Sequence, residues 1–209
     1  MKVVSLVSSG IDSPVASYMI GRFVDEMIVV HAETGGKNAA DDLEVFKKLM
    51  RRLSSVCECS LRVVLIPHEK ALQEFINNCT NRFTCVFCKR MLLRYAEEIA
   101  NRENASAIVM GDSLGQVASQ TLQNINTVEE SVSVPILRPL IGFDKQEAIS
   151  IARDIGTFDL STESTGGCWA VPKTPATSAR GNQLDDEESC LDIAGLVDWA
   201  ISHAEVWNL

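Results

Sequence analysis

The sequence has no long hydrophobic run, and its longest apolar stretch, at residues 3–7, is far too short to cross a bilayer. The first residues enter that stretch without a signal-peptide cleavage pattern. We therefore expect a cytoplasmic protein with no membrane partner. Histidine is also scarce, at three residues, which leaves few imidazole ligands for a metal ion.

Positive charge is in short supply as well. Lys and Arg total 19 against 28 Asp and Glu, which gives a formal net charge of −9. An overall field of this sign does not hold nucleic acid, so any RNA contact needs a local basic patch. Lys47, Lys48, Arg51 and Arg52 form a candidate patch on one predicted helix, although such a group is more often a solvated helix face.

Cysteine is present in an odd number, seven, in a chain of 209 residues that is long enough to build its own core. These features argue against a small disulfide scaffold and favour a reducing compartment in which thiols do chemistry. Hydrophobic residues make up 46% and charged residues 22% of the chain, a composition typical of a folded globular protein.

Five short runs rich in Val and Ile have the composition of strands that are buried on both faces. They are residues 3–7, 27–31, 61–66, 107–110 and 132–137. Apolar residues at helical spacing lie between them, for example over residues 43–53 and 92–99. The alternation predicts an α/β fold, a doubly wound five-stranded parallel sheet that binds its ligand at the carboxyl ends of the strands.

The chain after the last predicted strand has a different character. Residues 181–188 are polar and acidic, which indicates a loop or the start of a solvated helix, and residues 191–206 have the pattern of a closing helix. We expect one domain over residues 1–209, with a helical extension from about residue 178.

The turn after the first strand, residues 8–13, has the sequence Ser-Ser-Gly-Ile-Asp-Ser, and a helix is expected from about Val15. Small residues at a helix N-terminus let backbone N–H groups approach a phosphate, and the helix dipole favours an anion there. Asp12 would either orient the loop or help to hold Mg²⁺. An ordinary capped turn between a strand and a helix fits these residue types equally well.

The same turn resembles the S-G-G-x-D-S pyrophosphatase loop, or PP-loop, of enzymes that adenylate a substrate and release pyrophosphate. The Walker pattern, by contrast, does not occur in the chain. Ser9 stands where that family usually has glycine, and it would cost about 1 kcal/mol if the position requires a positive φ.

Residues 110–122, together with residues 135–142 and Asp144-Lys145, closely resemble the tRNA sulfurtransferases that make 4-thiouridine. The resemblance runs from Val3 to about Thr177. It implies a PP-loop ATP pyrophosphatase fold of the adenine nucleotide alpha hydrolase type, and an ATP site whose residues carry over one by one. These are Leu6, Val7, Ser8, Gly10, Asp12, Ser13, His31, Ala32, Lys89, Arg90, Gly111 and Gln120.

Two of the cysteines form a C-x-x-C motif, Cys85 and Cys88, at the start of a predicted helix with Lys89 and Arg90 behind them. This position should lower the pKa of both thiols, and the spacing is shared by zinc, iron–sulfur and redox sites. Cys168, between Gly167 and Trp169 in a glycine-containing loop over residues 165–169, is a third candidate thiol.

In the resembling family, a cysteine at the place of Cys168 is linked to sulfur transfer. The archaeal-type branch also has C-x-x-C, and the resemblance implies an iron–sulfur cluster on Cys85, Cys88 and Cys168. Two alternatives stay open: a zinc ion that needs a fourth ligand, and a metal-free persulfide and disulfide relay.

The resemblance implies an ATP-dependent and Mg²⁺-dependent sulfurtransferase. It would adenylate a carbonyl oxygen, that of uridine C4 in tRNA, and replace it with sulfur from a sulfide or persulfide donor. Asp12 and Cys168 would be the catalytic residues. Adenylation of an acceptor other than tRNA, or nucleotide or iron–sulfur binding without catalysis, would use the same features.

Family members usually carry an N-terminal RNA-binding region, and some carry a C-terminal rhodanese domain. We expect neither in this chain. With a net charge of −9, the chain would need a separate RNA-binding subunit or domain to hold tRNA, or a homodimer that shares surfaces.

Overall fold

In the computed structural model, which describes residues 1–163 and 167–209, six strands form one sheet in the order β5-β4-β1-β2-β3-β6. The strands are β1 Lys2–Leu6, β2 Glu26–Glu33, β3 Ser60–Pro67, β4 Ile108–Val109, β5 Ile136–Leu137 and β6 Glu205–Asn208. β6 pairs antiparallel with β3, whereas the other neighbouring strands are parallel.

The strand order reverses between β1 and β4. From β1 the chain proceeds outward through β2 and β3, then crosses back to place β4 on the other side of β1 and β5 beyond it. The register pairs Val4 with Ile28 of β2 and with Ile108 of β4. The loops that leave β1 and β4 therefore diverge and open a crevice at the carboxyl edge, where doubly wound sheets bind ligands.

Helices cover both faces of this sheet, as expected for parallel strands whose two faces are both apolar. In the described part of the chain they are α1 Asp12–Gly21, α2 Ala39–Val56, α3 Glu69–Asn78, α4 Thr84–Glu103, α5 Leu122–Glu129, α6 Lys145–Asp154, α7 Phe158–Thr162, α8 Gly181–Glu188 and α9 Ile193–Ser202. None of these helices is long and apolar enough to span a membrane.

The sheet separates two apolar cores. On one face, α3, α4 and α9 pack on the strands, and Phe75, Phe87 and Tyr95 are fully buried there. On the other face, Phe46 and Leu49 of α2 are buried with residues of α1 and α6. These two layers fix the long helices, and so they fix the positions from which the loops at the carboxyl edge depart.

Each of the five predicted runs overlaps a strand of the sheet, although β4 and β5 have only two residues each, and the fold class is the predicted one. The predicted number of strands was too small, because β6 adds an antiparallel edge strand. The predicted helix over residues 191–206 was too long: α9 ends at Ser202 and the chain then turns into β6. Val63 pairs with Trp207, so β6 covers the edge of β3 that would otherwise be unpaired.

Candidate active site at the carboxyl edge of the sheet

The turn after β1 is held by its own serines. The backbone N–H of Ser8 donates to Ser13 Oγ at 2.9 Å, and the N–H of Gly10 donates to Ser8 Oγ at 3.3 Å. α1 begins at Asp12, earlier than predicted, and its N-cap residue Ile11 makes no side-chain cap. The first turn of α1 therefore offers N–H groups and the positive end of the helix dipole to an anion.

Ser9 is accommodated without backbone strain. In the described part of the chain, Asn104 is the one residue other than glycine that has a positive φ, so Ser9 lies in an ordinary region of backbone conformation. The penalty considered for Ser9 in place of glycine does not arise, because this turn does not need the left-handed conformation.

A cavity of about 320 Å³ opens at the crevice between β1 and β4. All the residues predicted for the nucleotide site line it except Arg90: Leu6, Val7, Ser8, Gly10, Asp12, Ser13, His31, Ala32, Lys89, Gly111 and Gln120. His68, Cys88, Leu92, Met110 and Asp112 line it too. We call this space the switch-point cavity. Its volume is in the range of small-molecule sites.

Gly111, just after β4, lets the two loops of the crevice touch. A Cβ atom on Gly111 would lie 2.6 Å from both the N and the Cα atoms of Ser13. This is far inside van der Waals contact with a rigid backbone. The sequence prediction was that this glycine lets the chain approach a ligand. The structure adds a nearer reason, which is that glycine lets the loop after β4 lie against the first turn of α1.

Asp112 is a buried carboxylate that accepts hydrogen bonds from three side chains, and sequence reasoning did not single it out. Its carboxylate accepts from Lys89 Nζ at 2.5 Å, and from Arg138 Nε and Gln120 Nε2 at 3.4 Å each. Burial alone would raise the pKa of Asp112, but Lys89 and Arg138 outweigh it and hold the pKa below its ordinary value. Asp112 thus fixes Lys89 and Gln120 at the cavity wall. The sequence feature that could have identified Asp112 is its position directly after Gly111, at the carboxyl end of β4.

Asp12 is bound by a lysine from a distant helix. Lys145 Nζ donates to both carboxylate oxygens of Asp12, at 2.7 and 2.8 Å. Lys145 is the first residue of α6, whose N-terminus is fixed by a capping box between Asp144 and Glu147. The pair Asp144-Lys145 belonged to the sequence resemblance, but no role followed from it. The structure links Lys145 to the turn after β1.

Arg90 is not brought to the cavity. Its guanidinium is buried and forms ion pairs with Asp185 and, at 3.1 Å, with Glu188 of α8. Arg94 adds a bidentate pair with Glu188 at 2.8 and 2.7 Å. The structure thus places Arg90 away from the cavity that contains the other residues predicted for the ATP site. Successive helix residues point in different directions, and Arg90 faces the C-terminal segment while Lys89 faces the cavity.

A second cavity, of about 310 Å³, adjoins the first and contains Cys168; we call it the Cys168 cavity. Ser8, Gly10, His31, Ala32 and Thr34 line both spaces. The two cavities are therefore neighbours, and the turn after β1 and the end of β2 line both of them. A nucleotide in the switch-point cavity would lie next to the space that contains the Cys168 thiol.

The loop that carries Cys168 is tied to the loop after β2. Trp169 Nε1 donates to the carbonyl oxygen of Thr34 at 2.7 Å. Gly36, with φ +88°, lies beneath the same indole, and a Cβ there would come within 2.8 Å of Trp169 Cδ1. Of the predicted loop over residues 165–169, Thr165 and Gly166 lie outside the described residues. Cys168 itself is exposed.

The thiols of the C-x-x-C motif differ from expectation, because the pKa of each is raised rather than lowered. Burial is the main cause, the nearby Cys168 thiol adds to it, and Lys89 opposes it. Together these effects bring the pKa of Cys88 to about 12. Cys88 Sγ also lies 3.2 Å from His68 Nε2, and His68 Nδ1 lies 3.3 Å from the hydroxyl of Tyr95. Removal from water outweighs the helix dipole and the cation here.

Within residues 1–163 and 167–209, no group of three or more His, Cys, Asp or Glu side chains is arranged to hold a metal ion. The iron–sulfur cluster or zinc ion predicted on Cys85, Cys88 and Cys168 therefore has no preformed site among them. All seven cysteines are free thiols, and Cys88 is engaged with His68.

The four cations of the candidate RNA patch on α2 are engaged within the protein. Lys47 pairs with Glu44 at 3.1 Å and Lys48 with Glu163 at 3.0 Å. Arg52 Nε donates to the carbonyl of Ile155 at 2.7 Å, and Arg51 lies over the ring of Trp207. The patch thus serves packing and local ion pairs, which leaves little free positive charge for a phosphate backbone.

A family model described as "Thiamine biosynthesis protein (ThiI)" matches residues 1–193. A protein of Methanosarcina mazei named probable tRNA sulfurtransferase is 40% identical over 210 residues, which cover 100% of this chain and 52% of that protein. Proteins with the same name from Methanobrevibacter smithii and Thermus thermophilus are 43% and 38% identical, and this chain spans 49% and 51% of them. The chain thus spans about half the length of these curated relatives.

Among solved structures, a 4-thiouridine synthetase in complex with RNA and bound ATP superposes with a TM-score of 0.87 at 30% identity. The match covers 99% of this chain and 54% of that one. The NMN synthetase of Francisella tularensis superposes with a TM-score of 0.58 at 12% identity, which is a likeness of fold alone.

Proposed function

The chain belongs to the ThiI family, whose model covers residues 1–193, and from that premise we propose that it is the ATP-using catalytic unit of a tRNA sulfurtransferase. It would adenylate uridine in tRNA at the oxygen of C4, and then replace that oxygen with sulfur to give 4-thiouridine. The proposal includes a cytoplasmic location, in keeping with seven free cysteines.

One observation carries the nucleotide assignment. The uncapped N-terminus of α1 opens into the switch-point cavity, and Lys89 also lines this cavity. Backbone N–H groups, the helix dipole and one ammonium group suit a polyphosphate. The related 4-thiouridine synthetase was solved with bound ATP, which is the same ligand class. Mg²⁺ would arrive with the triphosphate as part of the substrate.

Asp12 and Lys145 would position the loop. The ion pair keeps the Asp12 carboxylate at the first turn of α1, next to the N–H groups that we assign to the phosphates. Lys145 would change partners when the triphosphate binds, and would then stabilise charge that develops on the departing pyrophosphate. Lys89, held by Asp112, would do the same.

The chemistry takes two displacement steps. The C4 oxygen attacks the α-phosphorus of ATP, the bond to the β-phosphate oxygen breaks, pyrophosphate leaves, and uridine loses its N3 proton. A hydrosulfide ion can then add to C4, and AMP departs with its electron pair. When the nucleophile is instead the terminal sulfur of a persulfide on Cys168, loss of AMP leaves a disulfide between C4 and Cys168. An external thiol would then bond to Cys168 Sγ and release 4-thiouridine, and a second external thiol would reduce the remaining disulfide and free Cys168. Adenylation converts a poor leaving group into a good one, which is the purpose of covalent activation.

Cys168 would deliver the sulfur. It is exposed, it lines the cavity next to the phosphate loop, and Trp169 fixes its loop to Thr34. An exposed thiol on a tethered loop can accept a persulfide sulfur at the surface and present it to an adenylated base. We assign Cys88 no delivery role, because its thiol is engaged with His68.

We propose that the main tRNA-binding surface lies outside residues 1–209. The net charge is −9 and the cations of α2 are engaged within the fold, so a separate RNA-binding domain or subunit would hold the tRNA. The curated relatives are about twice as long as this chain. We further propose that residues 1–209 form one domain, in which the segment from about residue 178 packs on α4 through Glu188.

The test is a reaction of this chain with ATP, Mg²⁺, sulfide and unmodified tRNA, followed by pyrophosphate assay and mass spectrometry of the nucleosides. We expect pyrophosphate release stimulated by tRNA, and 4-thiouridine among the products. Release that does not respond to tRNA would indicate another acceptor. Nucleotide binding without any turnover would indicate a non-catalytic module.

A further inference from the structure

The Cys168 cavity contains features that the nucleotide assignment leaves unused. Of its described lining residues, three are carboxylates, Glu33, Asp42 and Glu163, and none is Lys or Arg. The switch-point cavity contains two carboxylates as well, Asp12 and Asp112, but each of them is paired with a lysine, Lys145 and Lys89 respectively. Two adjoining spaces of nearly equal size thus differ in charge, and a second polyphosphate would be repelled from the one that contains Cys168.

Two of these carboxylates are partly withdrawn from water. Burial is the main reason that the pKa of Glu33 and that of Asp42 are both raised. Neither forms an ion pair among the described residues, whereas Glu163 pairs with Lys48. Carboxylates in such a place are strong acceptors for N–H and O–H groups of an uncharged ligand.

His31 supplies an independent sign of a ligand. The residue is 9% exposed and its ring stacks on Phe46 with the centroids 3.7 Å apart. His31 Nδ1 lies 2.9 Å from the carbonyl oxygen of Val7, which can only accept, so Nδ1 carries the proton and donates. Nε2 is therefore a lone-pair acceptor.

That acceptor has no partner within the part of the chain that the structure describes. Nε2 makes no hydrogen bond there, and it is not among the fully enclosed unpaired atoms, which are Arg90 Nε and Arg138 Nη2. His31 lines both cavities, so its ring lies at the boundary that they share. A nearly buried acceptor left open in this way calls for a donor from a ligand.

From these observations we propose that the Cys168 cavity is the acceptor subsite, and that it takes a planar, uncharged heterocycle that it recognises through a ring N–H beside the reacting carbonyl. Phe46 holds the imidazole of His31 in place by stacking on it, and the carboxylates and Nε2 accept the N–H of a base that approaches the ring edge-on. This inference rests on the proposed function, in which the heterocycle is the uracil base of tRNA.

A subsite that accepts a ring N–H would distinguish uracil from cytosine. A cytosine base carries no proton on N3 and would place a lone pair against carboxylates and an imidazole acceptor, which costs the site its hydrogen bond. A uracil base supplies the N–H and presents its C4 oxygen next to it. The subsite would thus select a carbonyl-bearing base before any phosphorus chemistry begins.

A cavity-filling pair of variants tests the location. Ala39, the first residue of α2, lines the Cys168 cavity but not the switch-point cavity, and its neighbour Ala40 is exposed and lines neither. Ala39→Leu should therefore fill the subsite, and Ala40→Leu is the matched control. We expect Ala39→Leu to keep its affinity for ATP within about twofold and to lose tRNA-stimulated pyrophosphate release by at least about tenfold.

Each other outcome overturns this inference. If Ala39→Leu releases pyrophosphate normally, the acceptor lies elsewhere, although the proposed function stands. If it releases pyrophosphate but makes no 4-thiouridine, the cavity serves the sulfur donor alone. If it loses ATP affinity, the cavity is part of the nucleotide site. A wild-type chain without tRNA-stimulated release would instead remove the proposed function itself.

An altered substrate tests the recognised group without any variant that could misfold. The uridine found thiolated by mass spectrometry is replaced in a synthetic RNA by N3-methyluridine, which lacks the N–H. Adenylation itself removes the N3 proton, so the readout is binding in the presence of a non-hydrolysable ATP analogue. We expect the N3-methyluridine RNA to bind at least about tenfold more weakly than the unmodified RNA, while affinity for the ATP analogue is unchanged. Equal binding of both RNAs would refute recognition through the N–H.

Discussion

Asp12 connects the phosphate loop to α6 through Lys145 Nζ, at 2.7 and 2.8 Å from its two oxygens. The pair is partly exposed, so Asp12→Asn should change the free energy of unfolding by no more than about 1 kcal/mol. We expect pyrophosphate release to fall on the order of 10²-fold, because the charge that positions the loop is lost.

The assay is pyrophosphate release with ATP and tRNA, and urea unfolding measures stability. The matched control is Asp186→Asn on α8, an exposed carboxylate away from both cavities. Normal release by Asp12→Asn would show that this carboxylate has no part in adenylation.

A Cys168 variant distinguishes the adenylation step of the proposed reaction from the sulfur-transfer step. With a persulfide in place of sulfide as the sulfur donor, Cys168→Ala removes the exposed thiol that would accept the sulfur, so we expect no loss of stability and normal pyrophosphate release, but no 4-thiouridine by mass spectrometry. Cys190→Ala, at another exposed cysteine, should behave as wild type. The role of Cys168 as the sulfur carrier would be refuted by a variant that still thiolates tRNA.

His31 should make stability depend on pH. Burial lowers the pKa of His31 from 6.5 to about 4, so between these values the unfolded chain binds a proton that the folded chain does not. The free energy of unfolding therefore falls as the pH drops through that window, by up to about 3 kcal/mol at the usual 1.4 kcal/mol per pKa unit.

Urea unfolding across this window measures the effect. Burial also lowers the pKa of His68 to about 4, so His31→Gln should remove only its own part of the pH dependence, whereas His203→Gln at an exposed position should leave the whole dependence in place. Parallel curves for His31→Gln and the wild type would contradict the assignment of a neutral buried imidazole.

At the scale of elements, the contact between the loop after β4 and the start of α1 depends on Gly111. Gly111→Ala would place a Cβ 2.6 Å from the Ser13 backbone, so the two loops must separate. We expect a loss of about 1–3 kcal/mol in unfolding free energy and at least about tenfold weaker ATP binding. Calorimetry with ATP and thermal melting measure the two effects.

Gly142→Ala is the control for this change, since nothing lies within 4 Å of a Cβ at that position. It should leave ATP affinity and stability nearly unchanged. An ATP affinity of Gly111→Ala equal to that of the control would show that the crevice does not need the close approach of the two loops.

The elements also show what the sequence could and could not predict. The five parallel strands were predictable because strands buried on both faces are continuous Val and Ile runs, as in β1 and β2. β6 was not predictable, because its four residues acquire a strand conformation only by pairing with β3, and its apolar residues prolonged the helical pattern of α9.

At the site, the sequence could not predict the direction in which each side chain points. Lys89 and Arg90 are neighbours in sequence, and the sequence offered no reason to separate them. Only the packing of α8 on α4 turns Arg90 toward Asp185, some 95 positions away along the chain. Asp112 and Lys145 were overlooked for the same reason, since each acts through a partner that is remote in sequence.

For the molecule as a whole, charge argues that this chain holds tRNA weakly by itself. With a net charge of −9 and the α2 cations engaged internally, we expect a dissociation constant no tighter than about 10 μM near physiological salt. Fluorescence anisotropy with labelled tRNA over a salt series measures it. Submicromolar binding with a steep salt dependence would show that these 209 residues already contain the RNA grip.

We propose that the turn after β1 binds the triphosphate of ATP, and a crystal structure with a non-hydrolysable ATP analogue and Mg²⁺ tests this proposal. We expect phosphate density against the N–H groups of residues 8–13, near Lys89 and Lys145, with the adenosine in the switch-point cavity. An analogue bound on another face, with this turn empty, would show that the turn is not the nucleotide site.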